Sequence, residues 1–432
     1  MEIAGILVLV ISFLFLLIVG VPIAYSIGVA GVLTMLTSID ALPAFTTYAQ
    51  RMATGLDSFA LLAIPFFILA GNIMNRGGIA VRLINFARVL VARFPGGLAF
   101  VNVIANMLFG AISGSAAASA SAIGGIMKDE LKKEGYDENF SAAVNISSAT
   151  TGLSIPPSNI LIVYSLASGG ASVAALFMAG YIPGIMTGLA IMIVAGIYAY
   201  LKAYPKGERV GFLNAIKRFW DALPSLFLLV IVVGGIIAGY FTATEASAIA
   251  VLYALILSFI YKEIGFRDMP DILLQSVKST AVVALLIASC IGLSWIMAYE
   301  NIPQIVSEAL LGISDNPVII LLMINMILLI VGVFMDMTPA VLIFTPIFLP
   351  IVTQQIGLDP IHFGIIMVLN LSVGLCTPPV GSVLFIGCSV AKVRIESVIK
   401  PLLPMFAAMI LVLLLVTFVP EFSMWLPRIL GY

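Results

Sequence analysis

Gly152-Leu153-Ser154-Ile155-Pro156-Pro157 recurs 222 residues later as Gly374-Leu375-Cys376-Thr377-Pro378-Pro379, each time inside a stretch too apolar for water. Proline lacks an N–H and disfavours the α region in the residue ahead of it, so each motif interrupts a helix. In hydrocarbon a spanning segment has to satisfy its own backbone polar groups. Two matched interruptions are therefore costly unless the freed carbonyls and amides bind something. Repeated, broken helices of this kind point to the binding site of a secondary transporter.

Composition sets the class. Of 432 residues 62% are hydrophobic and 9% charged, far below the roughly 25% charged of a soluble domain. The chain reads as an all-α polytopic membrane protein with no soluble domain and no low-complexity tail. The first apolar run, Ile3 to Val19, follows Met1-Glu2 without a basic residue or a small-residue cleavage pattern, so it reads as an uncleaved span. Cys290, Cys376 and Cys388 all lie in apolar stretches, which points to neither a disulfide framework nor a thiolate metal site.

A span needs about 20 apolar residues. Full spans are expected near 3–19, 20–39, 58–75, 140–167, 173–201, 224–241, 244–261, 280–298, 363–390 and 401–420. Segments 96–127 and 318–349 carry small or breaking residues at their middles. Their length favours re-entrant hairpins over pairs of crossings. Parity then collects the basic residues on one face. Arg76, Arg82, Arg88, Arg93, Lys128, Lys132, Lys133, Lys202, Lys206, Arg209, Lys217, Arg218, Lys262, Arg267, Lys278, Lys392, Arg394 and Lys400 stand against Arg51 and Arg428 alone. The positive-inside rule makes the rich face cytoplasmic and puts both termini outside.

Sliding the first half along the second by 222 aligns Pro95 with Pro317, Gly110 with Gly332, Gly135 with Gly357 and Asp137 with Asp359, besides the two motifs. Each half holds five spans plus one re-entrant helical hairpin. That number of crossings is odd, so the second repeat is inverted relative to the first. The domains are then 1–201, a cytoplasmic linker at 202–221, and 222–432.

The hairpin tips carry the chemistry. The first reads Gly110-Ala111-Ile112-Ser113-Gly114-Ser115-Ala116-Ala117-Ala118-Ser119, and the second Gly332-Val333-Phe334-Met335-Asp336-Met337-Thr338-Pro339. Small residues also serve close helix packing, but Asp336 is the only acidic residue in its long apolar run. An ionisable group at that depth is a functional candidate, with capping of the following half-helix as its structural alternative. A hard monovalent cation needs several oxygens, which carbonyls at half-helix C-termini supply, while half-helix N-termini suit an anion. The expectation is one Na+ site per repeat. The first uses Gly110, Ser113, Ser115, Gly152, Ile155 and Ser158; the second uses Gly332, Asp336, Thr338, Gly374 and Thr377. Ser115, Ser119, Asn159, Asn370 and Ser382 are the expected contacts of an anionic substrate.

Other singular residues read more plainly. Glu245 suits a cap in the first turn of a span. The amphipathic stretch 76–94 reads as an interfacial arm helix whose four arginines meet anionic lipid. His362 reads as a solvated loop residue, and Trp220, Trp295 and Trp425 fall near membrane interfaces.

Several of these residues carry a specific resemblance. Gly20-Val21-Pro22, Ile64-Pro65-Phe66-Phe67, Ser113-Gly114-Ser115, Phe241-Thr242-Ala243-Thr244-Glu245-Ala246 and both Pro-Pro motifs resemble the large membrane subunit of tripartite ATP-independent periplasmic (TRAP) transporters over essentially the whole chain. That resemblance implies an elevator-type transporter, in which a transport domain holding both hairpins slides against a scaffold domain. It implies Na+ as coupling ion and no organic cofactor. It also implies two partners: a small four-helix membrane subunit on a separate chain, and a periplasmic binding protein that delivers an organic acid such as a C4-dicarboxylate or a sialic acid. The setting implied is the bacterial inner membrane.

Two rival readings share parts of this pattern. A Na+/anion symporter without a binding protein shares the hairpin plan. An intramembrane serine hydrolase built on Ser113 or Ser115 needs a base at that depth, and the sole histidine is expected at the outer loop. A passive channel is disfavoured, because no charged ring or continuous polar stripe runs along the spans.

Overall fold

The computed structural model describes residues 2–205 and 211–432, without the side chains of residues 2, 3 and 212. All regular structure among them is helical. The first half runs α1 (Glu2–Ile18), α2 (Ile23–Met35), α3 (Ala41–Gly55), a 3-10 turn (Phe59–Leu62) entering α4 (Ala63–Arg76), and α5 (Ile79–Val91). The first hairpin follows as α6 (Gly97–Ser113) and α7 (Ala116–Lys133). Next come α8 (Glu138–Ala149), a 3-10 turn (Thr151–Leu153), α9 (Asn159–Ala167) and α10 (Val173–Leu201). The second half holds α11 (Phe212–Ile237), α12 (Ala243–Ile260), α13 (Met269–Tyr299) and α14 (Ile302–Ile313). Its hairpin is α15 (Pro317–Phe334) and α16 (Met337–Pro350), the latter extended by a π turn (Ile351–Gln355). α17 (Pro360–Gly374), α18 (Ser382–Ala391), α19 (Ile395–Phe418) and α20 (Glu421–Ile429) complete the chain.

The element order of the first half returns in the second, with α5 matched by α14, α6 and α7 by α15 and α16, and α8 and α9 by α17 and α18. The two broken helices start on aligned aspartates. Asp137 Oδ1 accepts from the Phe140 N–H at 2.8 Å, and Asp359 Oδ1 from the Ile361 N–H at 2.7 Å. Each satisfies an amide that has no partner inside its helix, a cap of about 1 kcal/mol. Glu245 also caps, in a reciprocal box with Thr242 at the start of α12.

The halves interlock by exchange. α4 packs on α12 and α2 on α13; α7 packs on α18 and α16 on α9; α8 packs on α19 and α17 on α10. Backbone proximity makes the exchange tight. A Cβ on Gly364 of α17 would lie 2.4 Å from the ring of Tyr164 in α9, whose hydroxyl donates to Pro360 O at 2.6 Å. Helices α1–α4 and α11–α13 form one packed group. The hairpins, the broken helices, α10 and α19 form a second. α5 lies between α6 and α11, and α14 between α13 and α16.

Eight helices among the described residues are long and apolar enough to cross a membrane, including both limbs of the second hairpin. The expected boundaries need four corrections. Both hairpins are longer than 96–127 and 318–349, because charged and polar residues extend the second limbs to Lys133 and Gln355. The linker is shorter than 202–221, since α11 already starts at Phe212; its residues 206–210, Lys206 and Arg209 among them, lie outside the described residues. α3 was not expected. It is only partly apolar, carries Gln50 and Arg51, and buries just Ala44 and Tyr48. In the second half the matching stretch is continuous with α13, which starts at Met269 rather than near 280.

Two side-chain expectations are also corrected. His362 is buried rather than solvated, with Nδ1 2.6 Å from Ser423 Oγ of α20. Two arginines of the arm helix are engaged by protein carboxylates rather than left to lipid: Arg82 lies 3.9 Å from Glu263 and Arg88 pairs with Glu130.

Candidate transport site

Each hairpin turns on a short non-helical tip. In the first, Gly114 adopts the left-handed conformation (φ 61°) and donates to Gly110 O at 2.9 Å. Glycine is suited there because a Cβ would meet Asn159 Nδ2 at 2.7 Å. Ser115 then caps α7, its Oγ accepting from the Ala118 N–H at 3.2 Å. In the second, Met335 is extended and Asp336 occupies the cap position of α16 without a side-chain cap bond. The structural alternative for Asp336, a cap on α16, is thus not made.

The breaks lie behind the tips. The Pro156–Pro157 and Pro378–Pro379 bonds are both cis. Ser158 Oγ donates to Leu153 O at 2.5 Å, and Thr377 Oγ1 to Val373 O at 2.8 Å. Gly381 N–H donates to Val333 O at 3.1 Å, which ties the second break to the second tip. In both halves the hairpin and the break touch backbone to backbone. A Cβ on Gly152 would lie 2.4 Å from Gly110 Cα, and one on Gly374 would lie 2.6 Å from Gly332 Cα.

Tips and breaks converge on one cavity of about 280 Å³. The first tip lines it from Ser113 to Ala117, and the second with Asp336, Met337 and Thr338. Leu153, Asn159, Ile160 and Val163 come from the first break and α9; Leu375, Ser382 and Val383 come from the second break and α18. Ile64 and Ile68 of α4, with Ser279 and Val283 of α13, close the opposite wall. Both hairpin tips thus meet at the same cavity.

The first residues of four helices, Ala116 of α7, Asn159 of α9, Met337 of α16 and Ser382 of α18, all line that cavity. Helix N-termini present unpaired N–H groups and the positive end of the dipole, so their convergence favours an anion. Beside them stand the Ser113, Ser115 and Thr338 hydroxyls and the Asp336 carboxylate, oxygens suited to a hard cation. Asp336 is accessible from the cavity and has no ion-pair partner among the described residues.

Of the residues singled out from sequence, Ser113, Ser115, Asn159, Asp336, Thr338 and Ser382 line the cavity. Gly110, Gly152, Gly332 and Gly374 form the two backbone contacts behind it, and Ile155, Ser158 and Thr377 sit in the breaks. Ser119 and Asn370 do not line it. Ser119 Oγ donates to Asn106 Oδ1 at 2.7 Å, and Asn370 Nδ2 to Asn325 Oδ1 at 2.7 Å. Sequence reasoning missed the buried amide cluster that absorbs Ser119. There Asn106 Nδ2 reaches Asn102 Oδ1 at 2.7 Å, Ser148 Oγ at 2.8 Å and Asn145 Oδ1 at 3.1 Å. The spacing Asn102, Asn106, one helical turn, was its only sequence signal. Ser279 was missed as well.

The sequence model of the family described as "Tripartite ATP-independent periplasmic transporter, DctM component" matches residues 10–422. The chain belongs to that family. It is a TRAP transporter large permease, a membrane transporter subunit rather than an enzyme, which removes the serine hydrolase reading.

This permease is 56% identical over 424 residues to YgiK of Salmonella typhimurium, covering 98% of this chain and 97% of that one. It is 38% identical over 430 residues to the C4-dicarboxylate TRAP transporter large permease protein DctM of Rhodobacter capsulatus (96% and 97%). It is 41% identical over 419 residues to the isethionate TRAP transporter permease protein DctMQ of Oleidesulfovibrio alaskensis, where it covers 96% of this chain but 65% of the longer relative. The fold is shared with the Alcanivorax borkumensis YdaH transporter at TM-score 0.66 and 14% identity, over 91% of this chain and 90% of that one.

Proposed function

We propose that this permease carries a small organic acid inward across the bacterial inner membrane, coupled to Na+, by an elevator movement of the hairpin-bearing group against the group formed by α1–α4 and α11–α13. The observation that carries this reading is the single cavity on which two hairpin tips and four helix N-termini converge. The N-termini suit a carboxylate or sulfonate. Asp336 with the serine and threonine oxygens, and the break carbonyls behind them, suit Na+. The names of relatives support the substrate class: one is named for C4-dicarboxylates and another for isethionate. Each positive charge moved inward contributes about 2.3 kcal/mol per 100 mV of membrane potential, so two Na+ per monoanion make uptake electrogenic.

The two halves are inverted repeats joined by the cytoplasmic linker, with both termini on the periplasmic side, a topology supported by the one-sided distribution of lysine and arginine. The working complex has a small membrane subunit and a periplasmic binding protein. The match covers 65% of the DctMQ relative, which supports a small-subunit module fused to the permease in that protein.

The test is a titration of the purified protein's unfolding midpoint with NaCl against KCl and choline chloride at matched ionic strength. A saturable rise specific to Na+ follows RT ln(1 + [L]/Kd) for a site present only in the folded state. An equal response to all three salts from a folded sample overturns the Na+ assignment. Uptake in proteoliposomes with succinate, isethionate and sialic acid, with and without a cognate binding protein, then separates this reading from a symporter that needs no such protein.

A further inference from the structure

We infer that Ser279 of α13 is a scaffold-side contact for the transported anion, and that it makes this contact while the cavity opens to the cytoplasm. The inference rests on the transport reading above and deepens it. Every other polar side chain that lines the cavity, Ser113, Ser115, Asn159, Asp336, Thr338 and Ser382, belongs to the hairpins and broken helices. The wall facing them is Ile64, Ile68, Val283 and Ser279. An apolar wall offers a sliding partner nothing to hold, so the one hydroxyl on it stands out chemically.

Its position along α13 gives the direction. α13 runs from Met269, on the side of Arg267 and Lys278, to Tyr299 on the opposite side. Ser279 is ten residues from the first end and twenty from the second, or about 15 Å against about 30 Å at 1.5 Å per residue. The cavity therefore meets the scaffold in the half of α13 nearer the basic, cytoplasmic face. Gln275, one turn before Ser279 and on the same face, is exposed, as is Lys278. Neither Ser279 nor Gln275 has a side-chain hydrogen bond to the described residues, whereas their neighbour Ser276 is buried and bonded to Asn72 and to Ile272 O. A free hydroxyl at the cavity, a free amide one turn toward the cytoplasm and a lysine beside them form a polar track on which a small carboxylate or sulfonate leaves.

The three native cysteines are buried, so a charged, water-soluble methanethiosulfonate reads a new thiol at position 279. The experiment uses Ser279→Cys in the full chain with its partner subunit, in sealed vesicles of both orientations, and first establishes which of succinate, isethionate and sialic acid the unmodified complex transports. The expected result is modification from the cytoplasmic side at least 10-fold faster than from the periplasmic side, slowed at least 3-fold by that substrate with Na+. In parallel, Ser279→Ala raises the half-saturating concentration at the cytoplasmic face by about 10-fold, the effect of losing one hydrogen bond to a charged group. Ser279→Thr, which keeps the hydroxyl, restores it. Equal modification from both sides, no protection by a substrate that the unmodified complex transports, or an unchanged half-saturation in Ser279→Ala overturns the inference and leaves the transport reading standing. Absence of transport by the unmodified complex overturns the transport reading itself, and this inference with it.

Discussion

Gly110 and Gly152 meet so closely that a side-chain carbon on Gly152 would lie 2.4 Å from Gly110 Cα, and Gly332 and Gly374 repeat the contact at 2.6 Å. In each half the hairpin is thereby seated directly on the backbone of the broken helix, and the carbonyls freed by the prolines are held beside the tip. The seating of each hairpin on its broken helix depends on the same two glycines.

Gly152→Ala and Gly374→Ala are each expected to destabilise the fold by about 1–3 kcal/mol, because the atoms a methyl would strike are backbone and do not swing away. Both are expected to weaken Na+-dependent stabilisation as well, since the tip has to lift off the break. Gly125→Ala is the control. Nothing lies within 4 Å of its added carbon, and it sits inside α7, so the change raises stability by about 0.5–1 kcal/mol. Unfolding midpoints in NaCl and in KCl measure both effects.

Asp336→Asn keeps shape and removes charge. The carboxylate lines the cavity, caps nothing and pairs with no cation among the described residues, so the substitution leaves the midpoint in KCl close to that of the unmodified protein. One site's share of the stabilisation by Na+, about 2.7 kcal/mol at a hundred times that site's Kd, is expected to be lost, leaving the share of the site in the first repeat. A Na+ response of undiminished size in Asp336→Asn removes Asp336 from the ion site.

Much of this architecture was legible from residue types alone. Pro-Pro pairs, tip glycines and cap aspartates each have one dominant backbone meaning, so their recurrence at a fixed offset located hairpins, breaks and caps. Polar side chains in an apolar setting carry less information. Such a group is satisfied either by a ligand or by another polar group, and the second partner is set by tertiary packing. Asn370 finds Asn325 forty-five positions away, and Ser119 finds Asn106 across the hairpin; Asn159 and Ser382, of the same chemical kind, open onto the cavity. α3 escaped notice because a helix that buries only Ala44 and Tyr48 shows no long apolar run. His362 was misplaced because its burial is supplied by α20, sixty-one residues further along.

That division gives a prediction of its own. Asn370→Ala leaves Asn325 Oδ1 buried without its 2.7 Å donor, and Ser119→Ala does the same to Asn106 Oδ1. Each is expected to cost about 1–3 kcal/mol of stability with the half-saturating substrate concentration unchanged. Asn159→Ala and Ser382→Ala, at the cavity, are expected to shift half-saturation several-fold. Paired thermal and uptake measurements on the four variants separate the two classes, and a shifted half-saturation in Asn370→Ala places that side chain back among the substrate contacts.

Arg88 on the arm helix pairs with Glu130 on the second limb of the first hairpin, so the pair joins an element packed between α6 and α11 to an element of the hairpin group. Both side chains are partly exposed, at 24% and 36%, which limits the pair to about 0.2–1 kcal/mol. That is too little to hold the fold, yet under the elevator movement proposed above it is enough to bias two positions of the hairpin group that differ by a similar amount. The pair is made in the arrangement whose cavity reaches Ser279. Glu130→Gln is therefore expected to leave the unfolding midpoint nearly unchanged while lowering the share of molecules in that arrangement. In a Ser279→Cys background it slows cytoplasmic thiol modification by up to about 5-fold, the population equivalent of that energy. High salt, which screens an exposed pair, shrinks the difference between the two proteins. An equal modification rate at low and high salt means that the arm and the hairpin move together, and the pair is then a fastening within one moving body.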